Sequence, residues 1–337
     1  MLNSKPDKIT ITAGLLLAVC FFIPAFSFAQ VTWTNVSADF APLPSTVQVY
    51  KTTDSLDGKP FIAYYVKALL KDKKLDFTTD TTLGRRLTPL QFYDKHDRPL
   101  VVVNTTFFSF ETNRNLNVVI RKGKVVGYNI HTIPMKGKDT FRYRHPFGSA
   151  LGISKKGQAD VAWLYTDSAL KYPLAAQSVQ RVIKDSIDHL PVDSTKNTYY
   201  SQLHSNKLIP VFKKWKMRTA IGGGPVLIQG GTIQITNEEE LKFTGKAIND
   251  KHPRTCAGYT ADGYLIIMAI QGRFPGIAEG ATLEQEAKLL LDLHCTEALN
   301  LDGGGSSCLL INGKETIKPS TNGVERPVPA VFIIAKK

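Results

Sequence analysis

Asp302 is followed by three glycines and two serines, and Asn300 precedes it by two positions. The surrounding stretch reads ALNLDGGGSSCLLIN from Ala298 to Asn312. It offers a carboxylate, an amide, two hydroxyls, and backbone N–H groups that no Cβ shields. That set suits a ligand rich in sugar hydroxyls or phosphate oxygens. Consecutive glycines cost conformational entropy on folding and are kept where positive φ or close backbone approach is needed. No Gly-Lys-Ser/Thr follows, so this is not a nucleotide P-loop. The apolar runs on both sides read as strands, which leaves a plain glycine-rich hairpin turn as the alternative.

Other apolar runs end in the same way. VVV leads to Asn104, and IIMAI leads to Gln271-Gly272-Arg273. Buried strands with polar ends commonly place those ends at a pocket rim. Arg218 and Arg254 are each followed by threonine and, within four residues, by glycine. A guanidinium beside open backbone N–H groups suits phosphate, since arginine donates in a bidentate fork. Arg218, Arg254 and Arg273 together point to an anionic ligand, against the plainer reading of each as a structural ion pair.

Those residues need elements to hold them. Strands are expected at Val47 to Tyr50, Phe61 to Lys71, Leu75 to Thr79, Leu100 to Val103, Phe147 to Ile153 and Ala159 to Tyr165. Hairpins are expected around Lys122-Gly123, Asp262-Gly263 and Asn312-Gly313, with a closing strand from Val328. Thr88 caps a short helix with Pro89 at its first position. Thr282 and Gln285 form a capping box at the head of the clearest helix, Thr282 to His294. Its apolar face is Leu283, Ala287, Leu290, Leu291 and His294, with Glu284, Gln285, Lys288 and Asp292 facing water. Glu286 reads as a solvated residue and only a weak candidate for a second carboxylate. The class is α+β, with mixed, largely antiparallel sheets and flanking helices. Residues 30–94 form N-terminal strands packing on a main domain, 95–335. A partly helical insertion is expected near 166–215, from Val179, Val182, Ile183 and Ile187 at helical spacing.

The 337 residues, 43% of them hydrophobic, supply ample core. Lys5 and Lys8 precede an apolar run ending in Ser27-Phe28-Ala29, the pattern of a signal peptide cut after Ala29. The expected protein is exported, whether periplasmic, cell-surface or secreted, with no transmembrane span in the mature chain. Cys256, Cys295 and Cys308 then remain, and their apolar neighbours make them small buried side chains. The net charge of +13 is spread along the chain without a nucleic-acid signature, so anionic glycans or phosphodiesters are the expected partners and nucleic acid is not. His189 and His204 have no partner at metal spacing, and no metal is assigned. No cofactor is expected, although Asn300 and Asp302 leave a divalent cation open without EF-hand spacing. Oligomeric state is not legible.

Several of these motifs together resemble the phosphodiester glycosidase family. They are Asn104 to Phe108, RTAIGGGPVLIQGG, HPRTCAGY, Gly272-Arg273, NLDGGGSS and the closing Glu325-Arg326-Pro327-Val328-Pro329. The likeness runs from about residue 95 to 335 as an ordered series. It implies a single domain of that family and an exported hydrolase acting on a sugar-1-phosphodiester or phosphoglycan. It points to Asn104, Arg218, Arg254, Gly272, Arg273, Asp302, Gly303, Gly304, Gly305, Ser306 and Ser307 as site residues. A phosphate ester leaves the anomeric carbon as an anion and needs little protonation, so one carboxylate, Asp302, can suffice where ordinary glycosidases use two. Asn104 would orient Asp302 or a sugar hydroxyl, while the arginines hold the phosphate. Thr105 stands where the family usually has glycine, and Cys256 and Cys308 where it has small or hydroxylated residues. These departures keep two alternatives open: a non-catalytic glycan-binding protein on the same scaffold, and a phosphodiesterase cutting P–O.

Overall fold

Period-two alternation of apolar and polar residues drives most of the chain into strands. The computed structural model describes residues 31–134, 143–180 and 212–337, with the backbone of short strand pieces at 183–184, 192–193 and 198–199. The expected leader, His189 and His204 lie outside the described residues. The chain divides into Met1–Gln30 and Val31–Lys337, and the second unit is described here.

Three sheets form the body, and every strand pairing among the described residues is antiparallel. The largest has eight strands. Its order runs from Thr34–Asn35 through β1 (Val47–Thr52), β2 (Ala63–Leu69), β13 (Tyr264–Ile270), β12 (Arg254–Thr260), β14 (Cys295–Asn300) and β11 (Val226–Gln229) to Thr232–Ile233. A seven-stranded sheet runs from Lys213–Lys214 through β9 (Leu174–Ala176), β8 (Ala159–Tyr165), β7 (Gly148–Ile153), β10 (Thr219–Gly222) and β5 (Val119–Arg121) to β6 (Lys124–Gly127). A five-stranded sheet runs from Lys314–Glu315 through β15 (Leu309–Ile311), β4 (Val101–Asn104) and β16 (Ala330–Lys336) to β3 (Leu75–Thr81). The residues before 95 are thus full members of two sheets.

One face of each sheet meets in a common core. Val49, Val66 and Ile267 come from the first, Leu151, Trp163 and Ile221 from the second, and Val103, Phe77 and Phe332 from the third. The alternate residues point outward to separate layers. Val102 packs with Phe92 of α1 (Pro89–Lys95), the short α2 (Asn237–Glu240) follows β11, and Ile266 and Met268 pack with Leu283, Ala287 and Leu290 of α3 (Leu283–Asp292). Each fully buried leucine of α3 contributes about 2 kcal/mol. Both helices start at the expected capping boxes, on Thr88 and Thr282.

Two readings change. Glu286 and Gln285 are buried rather than facing water, and His294 is exposed. The stripe Leu283, Glu286, Ala287, Leu290 has the i, i+3, i+4, i+7 spacing of an inner face, so Glu286 lies on it. In the 166–215 stretch the described pieces are short strands. Val182 and Ile187, two of the residues behind the expected helical insertion, lie outside the described residues. Lastly, the runs flanking Gly303–Gly305 are not a hairpin. β14 belongs to the eight-stranded sheet and β15 to the five-stranded one. The glycine stretch carries the chain from one sheet to the other.

Candidate functional site

The crossing between sheets is built by backbone and by one asparagine. After β14 the chain stays tied to its neighbours: Leu301 N donates to Thr255 O at 2.8 Å, Asp302 N to Thr105 O at 2.8 Å, and Gly304 N to Pro253 O at 2.8 Å. Asn104, the last residue of β4, is fully buried. Its Nδ2 donates to Asp302 O at 2.6 Å, and its Oδ1 accepts from Cys308 N at 3.0 Å and Thr255 Oγ1 at 2.9 Å. It therefore grips both ends of the loop. Asn104 is a positioning residue that sets Asp302 through the backbone. Asn300 does the same toward the second glycine run, donating Nδ2 to Gly224 O at 2.9 Å. That run is fixed in turn by the buried Glu240, which accepts from Ser149 Oγ at 2.7 Å and Val226 N at 2.8 Å.

The glycines of the loop each have a steric reason. A Cβ on Gly303 would lie 2.8 Å from Pro253 O. Gly304 has φ of 61°, and a Cβ there would lie 3.0 Å from Nη2 of Arg273. A Cβ on Gly305 would run into the guanidinium of Arg326. Two guanidinium groups thus rest on adjacent glycines, with Asp302 just before them. Gly272 lets its strand end pack against His252, Pro253 and Gly280, where a Cβ would lie 2.7 Å from Pro253 N. That contact carries Arg273 to the loop.

The carboxyl of Asp302 is crowded by protein although the residue keeps part of its surface open. Burial pushes its pKa up to about 7; hydrogen bonds from Ser306 and Gly303 and the charge of Arg326 act in the opposite direction. Arg326 Nη1 also approaches Ser306 Oγ at 3.5 Å. Ser307 and Thr105 carry buried hydroxyls without a hydrogen-bond partner among the described residues. Thr105 adopts negative φ, so a threonine is accommodated there without strain. At the rim, Phe110 is 65% exposed and both Arg326 and Arg86 lie over its ring at 5.6 Å. An exposed ring flanked by cations is a surface on which a sugar ring can stack.

Arg254 adjoins this site from behind. Its Cα lies 3.6 Å from where a Gly303 Cβ would sit, but its side chain runs to the α3 side. Nε donates to Ala281 O at 3.0 Å, the guanidinium lies 5.5 Å over Phe243, and the charge of Glu286 favours its protonated form. Glu286 is fully buried, no N–H or O–H among the described residues donates to its two oxygens, and burial lifts its pKa to about 7 despite Arg254 and the Cys256 thiol. The Cys256 thiol faces the same carboxylate, and burial first, then Glu286, pushes its pKa well up. Arg218 is elsewhere. It precedes β10, and its Nη2 pairs with Asp76 Oδ1 at 2.7 Å.

The structure therefore brings together Asp302, Gly303, Gly304, Gly305, Ser306, Ser307, Asn104, Gly272 and Arg273. Arg254 stands behind them, and Arg218 is not among them. Arg326 was missed as a site residue, although it lies in the closing Glu325-Arg326-Pro327 motif. Glu286 is buried instead of solvated, and the signal of that is its place on the apolar stripe of α3. Cys256, Cys295 and Cys308 are free and buried.

With this geometry in hand, comparison with known proteins decides the family. The family model described as phosphodiester glycosidase matches residues 97–335. The chain belongs to the phosphodiester glycosidase family. Among curated proteins, the prophage-derived uncharacterized protein YomE of Bacillus subtilis is 40% identical over 104 residues, 31% of this chain and 15% of that protein. The bovine and human N-acetylglucosamine-1-phosphodiester alpha-N-acetylglucosaminidases are 32% and 33% identical over 102 residues, 28% of this chain and 19% of theirs. The aligned stretches thus span less than a fifth of each relative. Among solved structures, the zebrafish N-acetylglucosamine-1-phosphodiester alpha-N-acetylglucosaminidase catalytic domain aligns with a TM-score of 0.52 at 17% identity, covering 91% of this chain and 89% of that one. A hypothetical protein from Synechocystis aligns with a TM-score of 0.60 at 16% identity, covering 87% and 62%. At such identities the structural likeness concerns the fold. Among the described residues no helix is long and apolar enough to cross a membrane.

Proposed function

We propose that this phosphodiester glycosidase hydrolyses the bond between the anomeric carbon and the phosphate oxygen of a sugar-1-phosphodiester. The observation that carries the proposal is the raised carboxyl of Asp302 beside two guanidinium groups, Arg273 and Arg326, seated on Gly304 and Gly305. The arginines receive the phosphate, donating in forks to oxygens that gain charge as the bond breaks. Ionised Asp302 takes a proton from water as the water oxygen bonds to the anomeric carbon. The sugar–phosphate oxygen leaves on the phosphomonoester, and the proton passes from Asp302 to solvent. A pKa near 7 makes Asp302 a better base than an ordinary carboxylate while leaving it largely ionised above that pH. Glu286 is sealed from solvent and acts on Arg254 rather than on the sugar.

The same reading places the enzyme outside the cytoplasm, on the strength of the residue pattern before Ala29. N-terminal sequencing of the protein recovered from cell fractions tests that placement, with Gln30 as the expected first residue.

The activity is tested by free-sugar release from a panel of sugar-1-phosphodiesters and nucleotide sugars. Wild type is expected to release sugar from at least one, and Asp302→Asn is expected to lose about a thousandfold in kcat/KM. Equal rates in two folded proteins would remove Asp302 from the mechanism. Saturable binding without turnover across the panel would mark a glycan-binding protein instead.

A further inference from the structure

Arg218 is the predicted arginine that lies farthest from the Asp302 loop, and its surroundings are distinctive. It lines a cavity of about 360 Å³ with Lys71, Lys73, Lys155, Lys156 and Lys337, and Asp72 is the one acidic residue of that lining. None of those lysines has an ion-pair partner among the described residues. Asp76 holds the guanidinium of Arg218 at 2.7 Å by one amino group, which leaves other N–H donors of the fork unused. The inner wall is apolar: Leu70, Leu75, Phe77 and Ile153 are all buried core residues that reach the cavity.

The cavity is built from distant parts of the chain. It draws on the β2–β3 turn, the β7–β8 turn, the start of β10 and the end of β16. The two turns meet backbone to backbone, because a Cβ on Gly157 would lie 2.7 Å from Leu70 O. Arg218 is pinned on both sides, its N donating to Ile153 O at 2.9 Å and its O accepting from Gly123 N at 2.7 Å. The cations are therefore set around a fixed bowl.

It is also far from the Asp302 loop. Val331 of β16 pairs with Asn104 beside that loop, and Lys337 lies six residues further along the same strand direction. At about 3.3 Å per residue the two places are roughly 20 Å apart.

We propose that this cavity is a second anion site, which takes a phosphorylated sugar unit of a phosphoglycan. The lysines and Arg218 meet the phosphate, and the sugar ring lies in the mouth of the bowl above its buried apolar floor. A volume of this size fits one such unit. The choice of sugar phosphate over other anions rests on the reading of the Asp302 site. A polymer could then be held here while another of its units lies at Asp302.

Lysine footprinting tests this on the full chain carrying Asp302→Asn, so that no probe is turned over. Acetylation is read by mass spectrometry with phosphorylated dextran, plain dextran or glucose 1-phosphate present. Phosphodextran is expected to protect Lys71, Lys73, Lys155 and Lys156 by about fivefold or more while leaving exposed Lys59 and Lys246 unchanged. Plain dextran should protect none of them. Protection by glucose 1-phosphate at equal phosphate concentration would make a single unit sufficient, and weaker protection would make the polymer the ligand. The pair Lys155→Glu and Lys156→Glu, on an exposed turn, should remove the protection of Lys71 and Lys73. Protection spread evenly over surface lysines, or none, overturns the proposal. Stronger protection by single-stranded RNA or by phosphatidylglycerol vesicles overturns the ligand class. A footprint without turnover by wild type would count against the proposed activity and not against this site; turnover without a footprint would do the reverse.

Discussion

Two carboxylates in this fold meet opposite electrostatic surroundings. Asp80, on β3, is 1% exposed and is met by Lys95 Nζ at 2.5 Å, His96 Nε2 at 2.8 Å and Arg121 Nη1 at 2.8 Å. Burial alone would raise its pKa, but these partners outweigh it and hold the group well below the usual carboxylate range. Asp302 also sits among protein atoms, and there burial wins over Ser306, Gly303 and Arg326, so its pKa rises to about 7. The first group joins a helix to two sheets and stabilises the fold as an anion. The second is held at a cost to stability, and that is the pattern of a group kept for chemistry.

The sharpest way to break this contrast is to remove each charge. Asp302→Asn should abolish nearly all activity, by about a thousandfold, and should not destabilise the protein at pH 8. The sign follows from linkage. The folded pKa of Asp302 lies above its unfolded value, so its ionisation lowers stability as pH rises between about 4 and 7. The amide removes that loss, and the variant should melt above wild type at pH 8, with the difference vanishing below pH 4. Thermal melts across pH check it.

Asp80→Asn should do the reverse. Its folded pKa is depressed, so its stabilisation is present above the unfolded pKa near 4 and lost as pH falls through the lower folded value. The variant should lose about 2 kcal/mol at pH 7, since the cationic partners are partly solvated, while the folded fraction keeps its kcat. Urea titration with an activity assay on the same samples separates the two.

Arg326→Lys sharpens the contrast at smaller scale. A point charge cannot replace a fork, and kcat/KM should fall by about tenfold to a hundredfold with little change in melting temperature. Phe110→Ala should have the smallest effect, a rise in KM of a few fold with kcat retained, as expected of a stacking surface at the rim. Steady-state kinetics distinguishes the two.

Much of the scaffold was legible because its signals are local. Thr88 and Thr282 announce their helices, and Asn312-Gly313 gives the expected hairpin, with φ of 48° and 76°. Asn104 and the glycine loop were legible because their residue types leave few uses. The arginines were not, and Arg218 and Arg254 show why. Each opens a strand with the same local grammar, Arg-Thr followed by glycine at the fifth position. Yet β12 begins beside Pro253 and Gly303, whereas β10 begins at the lysine-lined cavity and reaches the glycine crossing only at its far end. Which end of a strand faces a site is set by sheet order and direction, and no local pattern carries that. Arg326 was hidden for a related reason. It acts from an irregular segment, and only the missing Cβ of Gly305 marks where its guanidinium rests.

The central claim is that water attacks carbon at the Asp302 loop, with the phosphate leaving intact. Hydrolysis of an active sugar-1-phosphodiester in oxygen-18 water, followed by mass spectrometry of both products, tests it most directly. One heavy oxygen is expected in the released sugar and none in the phosphomonoester, with both products lost in Asp302→Asn. Heavy oxygen in the phosphomonoester and none in the sugar would contradict it, since the P–O bond would then be the one that breaks.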